Sequence, residues 1–478
     1  MLVRSSGAEE GAVMAGAIRR RHEAVDFAAI ERMFPPPPEY FETAWFDPPD
    51  VIEHRQLARL RERAHTARAV PFFRNRWDAA GFHPDDLRTL DDLWKAPSYT
   101  VDDIRRSIDE HGPFGDYQGV TPEHARREPM RVYMSGGTTG KSRPTFYTAW
   151  DREVQAVMNA RFLYMQGIRP GDVVLNSWAY GLHNGAFCFD EAAYDWLNCV
   201  VLTTSTGNVT SSERQVELAV QYGARAILTT GDYLLRLADV ARGLGYDPAR
   251  DLSLRALPNI GDPELLSSTF GVEYFRGYGF HEVGTVAVEC HVHDGLHIFE
   301  DAFIIQIVDP ETGDPMPDGA LGSVCLTEFC KTGSPQFRYN IMDLSYLYPP
   351  GRCECGSWLR RMGPFAGRGD NMVKLRGVNI WPEAVGAIAC SVDGTLADYF
   401  VRAVREKNRD ALIVSVVSDR DPGSFDVIRV EVERRLHQQL GVKIAATIAG
   451  PGSIDHLTEF ATSPKPKRFR DERDILDR

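Results

Sequence analysis

The spacing of apolar and polar positions divides the chain into a helical start, an alternating middle and a mixed end. Residues 17–33 and 51–68 show the spacing of helices. The four prolines at 35–38 lie between them and cannot continue a helix, which predicts an extended connector that acts as a rigid spacer. Residues 85–110 predict short helices joined by turns.

From Met130 onward, apolar strands alternate with helical stretches. The predicted strands are RVYMSGG (131–137), GDVVLNSW (171–178), ARAILTT (224–230) and VEYFRGYG (272–279). The predicted helices are 151–167, 212–222 and 232–244. This alternation is typical of a mainly parallel sheet covered by helices, so the expected fold class is α/β.

After about residue 296 the pattern changes to antiparallel strands and then to a smaller α+β unit. HIFEDAFIIQIVD and GSVCLTEF are apolar strands separated by the turn-rich PETGDPMPDG. A helix near 382–391, a strand at 411–418 and a helix at 424–440 follow. A chain of 478 residues exceeds the roughly 250–300 residues of a single core. We therefore expect a large domain at 1–369, with mainly parallel sheets and a small antiparallel β unit, and a small α+β domain at 370–478.

Composition and charge exclude some classes of protein. Hydrophobic residues make up 43% and charged residues 25%, as in ordinary globular chains. The net charge of −13 argues against a nucleic-acid or anionic-membrane partner, although a local basic pocket stays compatible with it. We find no membrane-length apolar run and no secretory signal, and we expect a cytoplasmic protein.

The segment from Tyr133 to Pro144 is rich in glycine, hydroxyl and basic residues. Its candidate ligands for phosphate are Ser135, Gly136, Gly137, Thr138, Thr139, Gly140 and Lys141, with Arg143 behind them. Glycines let main-chain amides approach a ligand closely, and the hydroxyls and cations suit a polyphosphate. The segment is not the NTPase P-loop, because Ser135 stands where that motif needs its first glycine. The alternative is a flexible surface turn.

Five motifs occur in the order seen in adenylate-forming enzymes. They are the glycine-rich loop, Tyr278-Gly279-Phe280-His281-Glu282, Arg338-Tyr339 with Asp343, Gly367-Arg368-Gly369-Asp370 followed by Arg376-Gly377, and Pro464-Lys465-Pro466-Lys467-Arg468. The chain from about residue 60 to 478 therefore resembles the adenylate-forming superfamily. RGVNIWPEAV, HARAVPFFRNRWDAAG and GLHIFEDAF are most similar to phenylacetate–CoA ligases. Residues 1–60 have no counterpart in this resemblance.

The resemblance implies roles for the matched residues. The loop 135–141 would hold the phosphates of ATP, with Thr138 among the catalytic groups. Glu282 would bind Mg²⁺, which prefers a carboxylate together with phosphate oxygens; the alternative is a surface ion pair. Asp343 would accept hydrogen bonds from the ribose hydroxyls, or be an ordinary turn residue.

Further roles concern adenine, the hinge and the tail. Tyr278 and Gly279, with the backbone near Gly261 and Asp262, would enclose adenine, and Arg368 would contact ribose or phosphate. Asp370 would be the hinge of a mobile C-terminal domain. Lys465 would enter the site during adenylation, because a lysine places a compact positive charge against the α-phosphate. Lys467 is its rival, and a solvated basic tail is the alternative to both.

Two departures from the family pattern bear on the substrate. Position 281 is His where the family usually has Ser or Thr. Residues 338–343 read RYNIMD rather than RYRTRD, so two basic side chains are missing. By the resemblance, Tyr180, His183, Asn184 and Phe187 would line the acyl site with His281, where the polar members would hydrogen-bond a ring hydroxyl or amine. Plain core packing is the alternative for the aromatic members.

Seven of the eight cysteines fall into two groups, and Cys330 is assigned to neither. Those in apolar surroundings, Cys188, Cys199, Cys325 and Cys390, are interpreted as buried packing residues. Cys353 and Cys355 form a thiol pair on a turn, and with Cys290 and His297 they would make a closed tetrahedral zinc site. His297 best matches a position that some members of the branch use, while His291 and His293 stay open as ligands. Reduced, unligated thiols are the alternative.

We therefore expect an ATP- and Mg²⁺-dependent enzyme that converts an aromatic carboxylic acid to an acyl-adenylate and transfers it to coenzyme A. One alternative changes the acceptor to an amine, nitrite or a carrier-protein thiol. Another is a nucleotide-binding homologue without catalysis. The expected partners are small molecules, with neither nucleic acid nor membrane, and a homodimer stays open.

Overall fold

A computed structural model describes residues 19–135, 143–258, 260–371, 373–375, 378–406, 409–458 and 466–473. Several predicted site residues lie outside the described residues, namely Gly136, Gly137, Thr138, Thr139, Gly140, Lys141 and Lys465. Arg376 and Gly377 of the hinge motif and the side chain of Asp370 also lie outside them.

The N-terminal part is helical. Its helices are α1 (Arg21–Ala24), α2 (Phe27–Met33), α3 (Glu39–Glu42), α4 (Pro49–Arg68), α5 (Pro71–Ala80) and α6 (Val101–His111). The predicted helix at 17–33 is divided after Ala24, because Asp26 caps the start of α2 by accepting the amide of Ala29 at 2.9 Å. The proline run is not helical, as predicted, and it is tied to the core: Arg161 donates to the Pro35 carbonyl and to both carboxylate oxygens of Asp301.

The middle part contains the parallel sheet. Its elements are β1 (Met130–Ser135), β2 (Arg143–Thr148), α7 (Ala149–Met165), β3 (Val173–Asn176), α8 (Gly185–Glu191), β4 (Val200–Leu202), α9 (Ser212–Tyr222), β5 (Ala226–Leu228), α10 (Gly231–Gly243), α11 (Pro248–Asp251) and α12 (Pro263–Phe270). Strands β4, β3 and β5 pair in parallel in that order. Strand β1 instead pairs antiparallel with β2, from Met130 with Thr148 to Ser135 with Arg143.

Two antiparallel sheets follow. Their strands are β6 (Gly277–Phe280), β7 (Gly284–Glu289), β8 (Leu296–Ile298), β9 (Phe303–Val308), β10 (Gly322–Glu328), β11 (Tyr339–Ser345) and β12 (Arg361–Met362). The sheet orders are β12-β8-β7-β6 and β11-β10-β9. The strand predicted at 272–279 begins only at Gly277 and belongs here, since a tight turn pairs it antiparallel with β7. An apolar run indicates a strand but not the direction of its partner.

The C-terminal residues form an α+β unit with its own apolar core. Its elements are β13 (Val373–Leu375), β14 (Val378–Ile380), α13 (Pro382–Cys390), β15 (Tyr399–Glu406), β16 (Arg409–Val417), α14 (Phe425–Leu440), β17 (Ala445–Ala449), α15 (Asp455–Thr458) and β18 (Phe469–Asp471). Helix α14 buries Ile428, Val432 and Leu436, one residue per turn, against the sheet β17-β16-β15-β18. The expected fold class is confirmed. Among the described helices, none has the length and apolar character needed to cross a bilayer.

Candidate active site

Strand β2 places Arg143, near the end of the glycine-rich segment, beside Glu282. Ser135 and Arg143 face each other across the two strands. Ser135 is buried, and its hydroxyl has no hydrogen-bond partner among the described residues. The Arg143 guanidinium lies 3.8 Å from a carboxylate oxygen of Glu282. Strand β2 therefore brings a cation to the carboxylate that the resemblance assigns to Mg²⁺.

Glu282 lies in the buried turn between β6 and β7, and two side chains from other elements hold this turn. The hydroxyl of Tyr147 in β2 donates to the His281 carbonyl at 2.6 Å. The ammonium of Lys331, after β10, donates to the Glu282 carbonyl. Lys331 is buried, and burial lowers its pKa to about 8. Sequence reasoning missed Lys331; a lone lysine directly after an apolar strand is a weak signal.

Three residues predicted to bind the nucleotide meet in one hydrogen-bonded chain. The Tyr278 hydroxyl donates to one carboxylate oxygen of Asp343 at 3.0 Å, and Arg368 donates to the other at 3.0 Å. Burial, followed by the charge of Asp343, keeps the pKa of Tyr278 well above its ordinary value, so the phenol stays a donor. This arrangement fixes the orientation of the Asp343 carboxylate.

The glycines assigned to the adenine site have structural reasons of their own. A Cβ at Gly279 would lie 2.2 Å from the Gly284 carbonyl, so the hairpin needs glycine there. Gly261 has φ +143°, and a Cβ on it would meet the Cα of Gly231 at 2.9 Å. The Asp262 carboxylate accepts the amide of Leu265 at 2.9 Å and caps α12. The Asp262 side chain therefore has a structural role in α12, and the contact of its backbone with adenine stays a prediction.

Aromatic rings gather near the His281 side of the same turn. The ring of Phe187 lies 5.2 Å from that of Tyr180 and 5.4 Å from that of Tyr133. The imidazoles of His183 and His281 lie 5.2 Å apart. Four of the five residues predicted for the acyl site are thus at a partly accessible aromatic surface beside the Glu282 turn. Tyr133, in the strand before the glycine-rich segment, joins them.

The fifth residue, Asn184, corrects a prediction. It is only 2% exposed, and its amide nitrogen donates to Gln155 at 2.8 Å and to the Tyr147 hydroxyl at 3.2 Å. Its amide oxygen accepts from Arg152 at 2.5 Å. The protein itself occupies these polar atoms, so direct contact of Asn184 with a substrate is contradicted. Asn184 instead orients Tyr147.

Cys290, His297, Cys353 and Cys355 come together although they are spread over 66 positions of the chain. Their ligand atoms all lie within 4.8 Å of one another. The sulfurs of Cys290 and Cys353 are 3.9 Å apart, and the Cys355 sulfur lies 3.6 Å from Nε2 of His297. Hydrogen bonds from Cys290 and His297 lower the pKa of Cys355 to about 3, so one thiolate forms readily.

The structure distinguishes the three histidines that the sequence left open. His293 pairs with Glu273 at 2.8 Å and with Glu289 at 3.1 Å, away from the sulfurs. His291 is exposed. His297 is fully buried, and the ring of Trp45 lies 4.6 Å from it. The described cluster therefore selects His297.

The described residues of the hinge and tail motifs contact both the main body and the C-terminal unit. Gly367 has φ +129°, which favours glycine, and Asn371 donates to Glu383 of α13 at 3.0 Å. The amide of Lys467 donates to the Thr458 carbonyl at 2.7 Å. Arg468 pairs with Asp398 and reaches Asp232 of α10 at 3.8 Å. Arg468, at the end of the tail motif, thus lies on the side of the C-terminal unit that faces α10.

Comparison with known proteins identifies the family. A model of the AMP-binding enzyme C-terminal domain matches residues 377–473. The chain is 31% identical to the phenylacetate–coenzyme A ligase of Aromatoleum evansii, over 89% of this chain and 95% of that protein. It is 32% identical to the Pseudomonas putida enzyme (88% and 95% covered) and to the Thermus thermophilus enzyme (84% and 92% covered).

Solved structures show the same fold. A 2-hydroxyisobutyryl-CoA ligase in a postadenylation state aligns with a TM-score of 0.78 at 24% identity, over 90% of this chain and 92% of that one. The same ligase with 2-HIB-AMP and CoA in its thioesterification state aligns with a TM-score of 0.62 at 25% identity, with the same coverage. The chain therefore belongs to the phenylacetate–CoA ligase family and is an AMP-forming acid–CoA ligase that acts through an acyl-adenylate.

Proposed function

We propose that this ligase activates an aromatic carboxylic acid. The observation that carries the proposal is the group of rings beside the Glu282 turn, formed by Tyr133, Tyr180 and Phe187 with the imidazoles of His183 and His281. Aromatic rings bind another ring by burial and by edge-to-face contact. The two imidazoles supply groups that would hydrogen-bond a hydroxyl or amine on that ring.

The proposed reaction has two steps. A carboxylate oxygen of the acid attacks the α-phosphate of ATP, the bond to the β-phosphate breaks, and pyrophosphate leaves. The thiol of coenzyme A then attacks the acyl carbon, and AMP leaves with the electrons of the broken C–O bond. The first step needs positioning and charge neutralisation. We assign these tasks to the segment 135–141 with Thr138, to Arg143 and to Lys465.

We assign Mg²⁺ to Glu282. Its carboxylate is buried but faces Arg143 of β2, and a single carboxylate combined with phosphate oxygens suits this ion. When bound, Mg²⁺ would neutralise charge on the phosphates. The carboxylate itself orients the triphosphate relative to the acyl site.

We assign the nucleoside to the chain of Tyr278, Asp343 and Arg368. Both oxygens of Asp343 are held by donors, so the remaining lone pairs have a fixed direction in which to accept the ribose hydroxyls. Tyr278, Gly279 and the backbone at Gly261 would enclose adenine.

We further propose that residues 370–478 are a mobile domain that rotates about Asp370 between the two steps. Its separate apolar core supports this division, and lid or domain motion is a common way to exchange catalytic groups. In the first step the rotation would present Lys465, and in the second it would admit coenzyme A. A cytoplasmic location and a homodimer stay predictions.

We also propose a structural zinc ion on Cys290, His297, Cys353 and Cys355. Tetrahedral Zn–S bonds of about 2.3 Å separate the sulfurs by roughly 3.8 Å, close to the 3.9 Å between Cys290 and Cys353. All four positions are protein ligands, which is typical of a structural rather than a catalytic site. The ion would join the β6–β8 sheet to the loop before β12.

ATP–pyrophosphate exchange tests the proposed substrate class. Benzoic, phenylacetic, hydroxybenzoic and aminobenzoic acids would be compared with straight-chain and 2-hydroxy aliphatic acids, with and without coenzyme A. We expect exchange with aryl acids in the absence of coenzyme A, and AMP release that requires it. Exchange with aliphatic acids alone would contradict the aromatic assignment, and AMP release with hydroxylamine but not with coenzyme A would contradict the acceptor.

A further inference from the structure

The turn that carries His281 and Glu282 is held through two consecutive main-chain carbonyls. The Tyr147 hydroxyl donates to the first at 2.6 Å, and the Lys331 ammonium donates to the second. The two donors come from separate elements, β2 and the loop after β10, and they touch each other: the Lys331 nitrogen lies 3.7 Å from the centre of the Tyr147 ring. The carbonyls of His281 and Glu282 are thus held by two side chains that contact each other.

The loop that carries Lys331 is held in place by hydrogen bonds from its main chain. The amides of Cys330 and Lys331 each donate to Glu328 at 2.6 Å. The next two amides, of Thr332 and Gly333, donate to Asp151 at 2.6 and 2.8 Å. Asp151 also caps helix α7, so the loop is fixed to the longest helix of the middle part. Glu328 and Asp151 therefore hold the main chain on both sides of Lys331 in a fixed position relative to the turn.

A lysine at this position would destabilise the fold if its only role were to fill space. Its side chain is 4% exposed, and a buried ammonium loses hydration that a methionine of similar length would not need. The carboxylates of Asp151, Glu282 and Glu328 offset part of this cost. The cavity that Lys331 lines also contains Glu282 and Tyr147. The ammonium therefore lies close enough to the carboxylate that we assign to Mg²⁺ for the two charges to interact.

We propose that Lys331 and Tyr147 are positioning residues, and that each orients one residue of the turn toward one of the two substrates. Lys331 fixes the main chain of Glu282, so that this carboxylate faces the metal–triphosphate. Tyr147, itself oriented by Asn184, fixes the main chain of His281, so that this imidazole faces the acid. The proposal rests on the proposed function, because it takes Glu282 as the metal ligand and His281 as part of the acyl site.

The variants Lys331→Met and Tyr147→Phe test the two positioning roles one at a time. Binding of Mn²⁺ in the presence of ATP is measured by electron paramagnetic resonance, and the KM of an aryl acid by pyrophosphate exchange. Lys331→Met is expected to weaken Mn²⁺ binding about tenfold, since one hydrogen bond from a charged group is lost, while the acid KM changes less than about twofold. Tyr147→Phe is expected to raise the acid KM about fivefold and leave Mn²⁺ binding unchanged.

A double variant decides whether Lys331 acts through Glu282. If it does, adding Lys331→Met to Glu282→Gln produces no further loss of Mn²⁺ binding; additive losses would overturn the proposal. Lys443→Met, at an exposed lysine of the C-terminal unit, is the matched control. Unchanged Mn²⁺ binding in folded Lys331→Met, or equal effects of both variants on both substrates, would also overturn it.

Two further measurements keep the outcome clear. Circular dichroism shows whether Lys331→Met is folded. If it is not, Lys331→Gln takes its place in the same comparison, because glutamine keeps a hydrogen-bond donor on a shorter side chain. Wild-type protein that binds Mn²⁺ and ATP but exchanges pyrophosphate with none of the aryl acids would contradict the aryl-acid function. The Mn²⁺ measurements on the Lys331 variants would still decide the role of Lys331.

Discussion

The hydroxyl of Tyr278 donates to the carboxylate of Asp343 across 3.0 Å, joining residues 65 positions apart in the chain. Tyr278 ends up buried under this contact, while Arg368 reaches the other carboxylate oxygen from the more exposed side. A carboxylate held from both sides cannot rotate freely. It is therefore ready to accept hydrogen bonds from a diol, such as that of ribose, in a fixed direction.

Tyr278→Phe should weaken ATP binding without abolishing catalysis. The variant keeps the ring but removes one hydrogen bond to a charged group, worth about 1.5 kcal/mol, so we expect the KM for ATP to rise roughly tenfold. Asp343→Ala should have a larger effect, because it removes the acceptor. Initial rates of pyrophosphate exchange over a range of ATP concentrations measure both. Tyr274→Phe, at another buried tyrosine of the same segment, is the control and should match the wild type.

Much of the site could be predicted from the sequence because its parts lie in local motifs. The order of Tyr278, Asp343 and Arg368 along the chain carried the family resemblance, and the structure brings the three side chains together. The cluster of Cys290, His297, Cys353 and Cys355 was predicted from residue type, because thiolates and imidazoles are the usual ligands of zinc, and the zinc itself stays a proposal. Only the choice of His297 among three histidines needed the fold.

Other features could not be predicted, for identifiable physical reasons. Lys331 and Tyr147 act on main-chain carbonyls, which every residue possesses, so nothing in the sequence marks the acceptor. Asn184 was expected to face the acid, because its type suits a polar substituent. Its burial under the aromatic surface follows from packing between α7 and α8, which local periodicity does not reveal. The antiparallel pairing of β6 with β7 was also missed, because an apolar run does not show the direction of its partner strand.

Removal of the proposed zinc should destabilise the chain more than it slows the chemistry. Metal analysis should find about one zinc per chain, and Cys355→Ser should lower both the zinc content and the melting temperature, since binding free energy becomes folding free energy. Cys390→Ser, at a thiol of the C-terminal unit, should leave the zinc content unchanged. Purified protein without zinc, and with the same melting temperature after exposure to a chelator, would remove the proposal.

Glu300 should make stability depend on pH. Burial, opposed by the amide of Arg360, raises its pKa from 4.5 to about 7. Between these values the folded chain binds the proton more tightly than the unfolded chain, so this carboxyl stabilises the fold below pH 4.5. That contribution, roughly 3 kcal/mol, is lost as the pH rises through 7.

Glu300→Gln removes the ionisation and keeps an acceptor for Arg360. Relative to the wild type, its free energy of unfolding should be higher at pH 8, by about 1–3 kcal/mol, than at pH 4.5. Urea unfolding at both pH values measures the difference. The exposed Glu311→Gln is the control and should show no such change. A difference between Glu300→Gln and the wild type that is the same at both pH values would contradict the raised pKa.

The tail motif offers two lysines, and the reaction chemistry predicts different roles for them. Lys465 is the better match to the family pattern, so Lys465→Ala should reduce adenylation by at least about 100-fold, the effect of losing one charge that stabilises the transition state. It should affect thioester formation from a supplied acyl-adenylate much less, because by then the C-terminal domain would have rotated. Lys467→Ala should leave both rates within about twofold, since Lys467 is the weaker match to the family pattern and a partly exposed charge contributes little. Single-turnover assays of each half-reaction separate these outcomes.

Loss of adenylation in Lys467→Ala, with Lys465→Ala unaffected, would show that Lys467 rather than Lys465 is the catalytic lysine. Intact rates in both variants would mean that the cation at the α-phosphate comes from the β1–β2 hairpin instead.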